Sequence, residues 1–221
     1  KKLISPGSYE SNIDGINDVV EKVNSQGGLA SINHPNYQWW VSADDIKYSK
    51  NAWAFEVFNG HQHSNNEGSL HSLSTEEMWD DILSSGKLIY GIASDDAHHF
   101  TEEFSSNRSN PGRGWVFVKS ESLSTTHIIE SMKKGDFYSS NGVELEYVDV
   151  SKNKINVKVK NTTSETDNPK YTFNVIHDSG LIFYQEEGDS INIGTKGIKK
   201  YFRIVVSSSD GTNAWIQPLF L

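Results

Sequence analysis

The chain has 221 residues, a net charge of −9 and no cysteine, with 22% charged and 35% hydrophobic residues. This is the balance of an ordinary folded chain, long enough for one large domain or two small ones with a sizeable core. It excludes disulfide and thiolate chemistry, speaks against nucleic acid or an anionic membrane as the main partner, and contains no apolar run of bilayer length. The first predicted element is a helix in DGINDVVEKVNSQGG, where Ile13, Ile16, Val19, Val20 and Val23 share a face and Gly27-Gly28 ends the pattern. LASINHP reads as a strand, SADDIKYSK as a short helix and AWAFEVFN as a second strand. STEEMWDDILSSG is a helix with Ser74 as N-cap, Glu77 completing a capping box and Gly86 past its end. KLIYGIAS is nearly continuous in apolar character, as a strand buried on both faces should be. GWVFVKS is a further strand, and STTHIIESMKKG a helix closed by Lys133, Lys134 and Gly135. Strands alternating with helices imply a parallel sheet or barrel, with these helices outside it.

The pattern changes near residue 142. KINVKVK alternates Ile155, Val157 and Val159 with Asn156, Lys158 and Lys160. YTFNVIH, GLIFYQ, SINIG, YFRIVVSS and AWIQPLFL continue as strands split by turn residues, and NTTSETDNPK reads as a loop. The expected organisation is an α/β region over 1–142 and a small antiparallel β-sandwich over 143–221. The sandwich is expected to supply no metal ligand, with Phe202 and Trp215 in its core or against the first domain. The start, KKLISPGSYE, has no apolar segment of the signal-peptide type. The compartment is therefore unread: a soluble chain, with the cytoplasm favoured and export open.

Polar residues gather at the C-terminal ends of the predicted parallel strands, the rim where α/β architectures build sites. His34 follows LASIN, Glu56 and Asn59 close AWAFEVFN, and Asp95, Asp96, His98 and His99 follow LIYGIAS. Imidazole and carboxylate together suit a divalent cation. Each residue also has a plainer reading. Asp95-Asp96 can cap a turn, His34 before Pro35 can bond to backbone, and Glu56 can pair with a neighbouring helix. His61 and His63 in HQH have ligand chemistry, but SNNEG after them reads as a mobile loop. Arg108 and Arg113 can grip an anion or simply be solvated. His71, His127 and His177 read as structural.

GGLASINHP, AFEVFNG, MWDDILSSGKLIYGIASDDAHHF and GRGWVFVKSESLSTTHIIESMKKGDFYSSNG resemble, in order, the second half of a PHP (polymerase and histidinol phosphatase) domain. The tail YFRIVVSSSDGTNAWIQPLFL resembles the β-domain that follows it in a branch of stand-alone phosphoesterases and carbaryl-type ester hydrolases. The resemblance runs from about residue 15 to the end. It implies part of a distorted PHP-type β/α barrel followed by the sandwich, with two or three Zn, Mn or Fe ions at the barrel rim. By that resemblance His34, Asp96 and His98 are metal ligands, with Asp96 and His98 also catalytic. By the same resemblance Glu56 and Asn59 line the substrate or support the ligands and Asp95 and His99 are near-site candidates, while His61 and Arg113 join the expected substrate-binding or supporting set on their own chemistry.

The family's opening H-x-H followed by Asp-Gly, its T-D-H motif and its glutamate ligand are not in this sequence; HQHSNN has the first spacing but comes after the histidine–proline motif and lacks Asp-Gly. The resemblance therefore implies a missing N-terminal half of the barrel as a partner, and a chain that reads as a fragment. The expected activity is metal-dependent hydrolysis of a small phosphate ester, with carboxyl or carbamate esters as further options. The alternative is a non-catalytic scaffold whose rim or sandwich binds a ligand or partner. No role in nucleic-acid or membrane binding is expected.

Overall fold

Ser11 opens helix α1 (Asn12–Asn24) by accepting the Asp14 amide on its hydroxyl. In this computed structural model, which describes residues 2–5, 7–160 and 169–221, the helix leads into a parallel sheet. The expected loop NTTSETDNPK lies outside the described residues except for its last two. Strand β1 (Ser31–Ile32), helix α2 (Ala43–Tyr48), strand β2 (Ala54–Asn59), helix α3 (Thr75–Ser84) and strand β3 (Tyr90–Ser94) follow. The sheet order is β1-β2-β3, and both outer strands run parallel to β2. Ser42 and Ser74 form capping boxes with Asp45 and Glu77, so α2 and α3 start where their sequences dictate.

α3 buries Met78, Trp79, Ile82 and Leu83. The Trp79 ring packs edge-on against Phe55 at 6.1 Å, and its Nε1 donates to the Ile89 carbonyl at 2.9 Å. Gly91 exists to admit that ring: a Cβ there would stand 2.7 Å from Trp79 Cη2. The ring is fully buried and cannot swing away. Gly91→Ala is therefore expected to cost about 1–3 kcal/mol through overpacking. A lowered urea midpoint at unchanged slope would register it, and an unshifted midpoint would refute the contact. Lys87 adds a half-buried cation, its ammonium donating to the Ile46, Lys47 and Ser49 carbonyls at the end of α2. Burial lowers its pKa.

The expected β/α barrel is not formed. Among the described strands only β1, β2 and β3 are parallel, and the next strand does not extend their sheet. β4 (Trp115–Val118) instead pairs antiparallel with β5 (Phe137–Ser140), across the connecting helix α4 (Thr125–Lys134). β5 in turn pairs antiparallel with the last strand of the chain. A barrel needs its strands closed in one staggered ring. Here the described strands form three separate sheets and β predominates over helix. α4, expected to cover a parallel barrel, has no fully buried residue. The compact units run Lys1–Pro111 and Gly112–Leu221, so GWVFVKS and STTHIIESMKKG belong with the antiparallel strands.

In the second unit, β6 (Leu145–Val150), β7 (Lys154–Val159) and β10 (Ser190–Gly194) form a sheet ordered β10-β7-β6. β8 (Tyr171–His177), β9 (Leu181–Glu187), β11 (Tyr201–Ser208) and β12 (Asn213–Phe220) join β4 and β5 in the order β4-β5-β12-β11-β8-β9. Ile155, Val157 and Val159 from the smaller sheet pack with Phe173, Val175, Phe202, Ile204 and Val206 from the larger. Trp215 is buried as well. Pro218 is tolerated within β12 because the β11–β12 register shifts between Phe202 and Ile204, opposite that stretch.

Tyr138 ties β5 to β6 by accepting the Leu145 amide on its hydroxyl at 2.9 Å. Burial pushes its phenol up to about 12, opposed by the Leu145 bond and assisted by the charge of Glu144. The folded state thus prefers the neutral phenol. Its contribution is complete below the ordinary value of 10.0 and falls as pH rises towards 12. Tyr138→Phe is expected to cost about 1–3 kcal/mol at neutral pH by leaving a buried amide unaccepted. It should also lose less stability than wild type between neutral and strongly alkaline pH. Parallel urea curves for the two proteins check both points. Among the described residues, no helix is long and apolar enough to cross a membrane.

Candidate functional site

The three parallel strands bring their polar ends to one edge of the sheet. Glu56, on β2, is buried with 5% exposure, and both its oxygens are engaged. Oε2 accepts the His34 amide at 2.6 Å and the Asn59 side-chain amide at 2.8 Å, while Oε1 accepts the Ser94 hydroxyl at 2.7 Å. The same Asn59 Nδ2 reaches Asp96 Oδ2 at 3.3 Å. A continuous polar bridge therefore runs from His34, beyond β1, through Glu56 and Asn59 on β2, to Asp96, beyond β3. Among the described residues Asp96 Oδ1 has no hydrogen-bond partner.

His34 and Asp96 hold left-handed backbone, at φ 26° and 47°. Gln38 and Trp39, in the turn after His34, do so as well, at 52° and 59°. Such conformations cost about 1 kcal/mol or more each for ordinary side chains and persist where surrounding bonds enforce them. The bonds to Glu56 and Asn59 are that enforcement for His34 and Asp96.

Asn59 also fixes the HQH segment. Its Oδ1 accepts the His61 amide at 2.8 Å, its carbonyl accepts Ser64 Oγ and Asn66 Nδ2, and its own amide donates to Asn66 Oδ1. Ser64 is buried, and Thr75 Oγ1 donates to the Val57 carbonyl beneath it. The segment expected as a mobile loop is thus pinned, because its Ser and Asn side chains satisfy strand-end carbonyls. The His61 ring lies 5.4 Å from that of His98, nearly perpendicular, and 5.4 Å from that of His63. Tyr37 meets His34 at 5.4 Å and His61 at 6.5 Å. Burial lowers the pKa of His61, Asp96 opposes the shift, and His98, His63 and His34 add to it.

The fold therefore gathers His34, Glu56, Asn59, His61, Asp96 and His98. Asp95 precedes the bridge residue with a half-buried side chain. His99 is turned to the 109 loop, its Nδ1 accepting the Ser109 amide at 3.2 Å. Arg113 belongs to the second unit. Glu56 is a strut between strands, not a partner for a helix. Sequence reasoning overlooked Ser94 and Tyr37. Ser94 was legible as the polar end of an apolar run, and it stands beside Asn59 in the β2–β3 register. Tyr37 had no local signal.

The donor chemistry fits a divalent cation: an open carboxylate oxygen on Asp96, the exposed ring of His98 and the half-buried ring of His34. Among the described residues, no three His, Cys, Asp or Glu side chains stand in a metal-holding group, so the set is gathered but not drawn together. In comparisons with known proteins, the chain matches no family model, no curated protein and no solved structure.

Proposed function

We propose that this strand-end cluster binds a divalent cation and that the protein acts in metal-dependent hydrolysis of a small phosphate ester. The observation that carries this reading is the bridge His34–Glu56–Asn59–Asp96, which connects three strand ends with buried polar groups. Buried hydrogen-bonded carboxylates are costly to build and are kept where geometry matters. When bound, a divalent cation supplies polarisation of the phosphoryl oxygen and activation of water. Asp96 brings negative charge to the site, and His34 and His98 bring neutral nitrogen donors. Glu56 and Asn59 fix the backbone and carboxylate from which those donors extend. The resemblance to PHP enzymes supports the reaction class through the order of the histidine–proline and D-x-H segments.

The test loads the chain with Mn²⁺, Zn²⁺ or Fe²⁺ and measures bound metal by mass spectrometry. The same preparations are assayed on 4-nitrophenyl phosphate, bis(4-nitrophenyl) phosphate and 4-nitrophenyl acetate. Metal uptake with chelator-sensitive release of nitrophenol is expected, stronger on the phosphates. A chain that takes up no metal and hydrolyses none of the three would overturn the proposal. A second reading, a ligand-binding scaffold, draws on a groove of about 590 Å³ in the second unit, lined in part by Phe117, Tyr138, Tyr147 and Leu219. Ligand retention without hydrolysis would favour it.

A further inference from the structure

The histidines of the cluster differ in what their ring nitrogens already do. His61 Nδ1 accepts the backbone N–H of His63 at 3.2 Å. Only an unprotonated ring nitrogen can accept an amide hydrogen, so the neutral ring carries its proton on Nε2. A ring in that state is a poor metal ligand, because one nitrogen is occupied and the other is protonated. It is a good donor: Nε2 has no hydrogen-bond partner among the described residues, and the side chain is half-buried. His34 and His98 carry no comparable ring hydrogen bond among the described residues, so either of their nitrogens is open to a cation.

The position of His61 is as fixed as its tautomer. Its amide is held by Asn59, the residue that also contacts Asp96, and its carbonyl accepts Ser64 Oγ at 2.7 Å. Its ring stands edge-on to that of His98. The donor therefore sits beside the candidate ligands without belonging to them.

We propose that His61 binds substrate and not metal, its Nε2–H donating to an anionic oxygen of a phosphate ester seated at Asp96 and His98. This rests on the metal-hydrolase reading of the same cluster. The role is a hydrogen bond from the neutral ring, with no proton transferred.

Three measurements test it. Long-range ¹H–¹⁵N spectra of the metal-free protein read the tautomer directly: Nε2–H is expected for His61, and Nδ1–H would overturn the proposal. Metal content of His61→Ala, His61→Gln and Asp96→Asn is then compared. Both His61 variants should retain metal, whereas Asp96→Asn should lose it. Loss of metal from both His61 variants, with fold intact by circular dichroism, would make His61 a ligand and overturn the proposal while leaving the metal reading in place. Finally, inorganic phosphate is titrated into metal-loaded and metal-free protein by calorimetry. His61→Ala should bind phosphate about tenfold to a hundredfold more weakly. His61→Gln, whose amide nitrogen can take the place of Nε2, should recover most of that loss. Equal phosphate binding by wild type and His61→Ala would overturn the proposal. A wild-type chain that takes up no metal would instead sink the hydrolase reading, and His61 would be judged on its tautomer and on phosphate binding to the metal-free protein.

Discussion

Asp96→Asn is expected to abolish metal-dependent ester hydrolysis and to weaken metal binding by about a hundredfold or more. Asparagine is the informative replacement because Asp96 sits at φ 47°, where Asn is tolerated and Ala is strained. The amide oxygen can still accept from Asn59, so the bridge to β2 survives while the charge is lost. Unfolding midpoints should therefore barely move. His98→Ala is the companion variant. Its ring is exposed, so its removal should change stability by no more than about 0.5 kcal/mol. The check is metal content, hydrolysis rate and thermal midpoint on the same preparations. Wild-type metal content together with wild-type activity in both variants would sink the assignment.

Glu56→Ala should be the most destabilising change at the site. The carboxylate is 5% exposed and accepts from His34, Asn59 and Ser94. Removing it strands those donors and leaves a cavity, at about 3–5 kcal/mol. That is a large share of a typical total stability of about 5–15 kcal/mol. Glu56→Gln keeps the volume, and its amide oxygen can still accept from His34 and Asn59 while its NH₂ donates to the Ser94 hydroxyl, which reverses its role. It should fall between Ala and wild type in stability and lose less metal affinity than Asp96→Asn, because the common anchor of His34 and Asn59 survives while its charge is lost. Thermal unfolding of the three proteins gives the ranking. An unchanged midpoint for Glu56→Ala would show that the carboxylate is not a strut between strands.

Local signals were sufficient for much of the chain. Ser74 with Glu77 set the start of α3, and Gly135, at φ 80°, ends α4 as its sequence requires. Alternation in KINVKVK placed Ile155, Val157 and Val159 in the sandwich core. Other local features misled. Val19, assigned to the apolar face of α1, is 40% exposed at the border of the buried stripe. LEYVDV escaped notice because the register shift between Leu145 and Tyr147 breaks its period of two. The sequence also displayed the candidate site as ligand-type residues closing successive apolar runs, at His34, Asn59 and Asp96.

What the sequence by itself determined, then, is where elements begin, which faces are apolar and which polar residues end strands. These follow from bonds and periodicities spanning a few residues: a cap reaches three positions along, and a helical stripe repeats within a turn or two. Tertiary structure alone decided that GWVFVKS leaves the parallel sheet to pair with β5, since β5 is held to β12 and Asn141 accepts the amide of Asn213, 72 positions away. It alone decided that HQHSNN is pinned and that His61 faces His98. Pairing partners and ring contacts depend on chain segments that meet only once the fold has closed the long loops between them, and no local pattern encodes which segment will arrive.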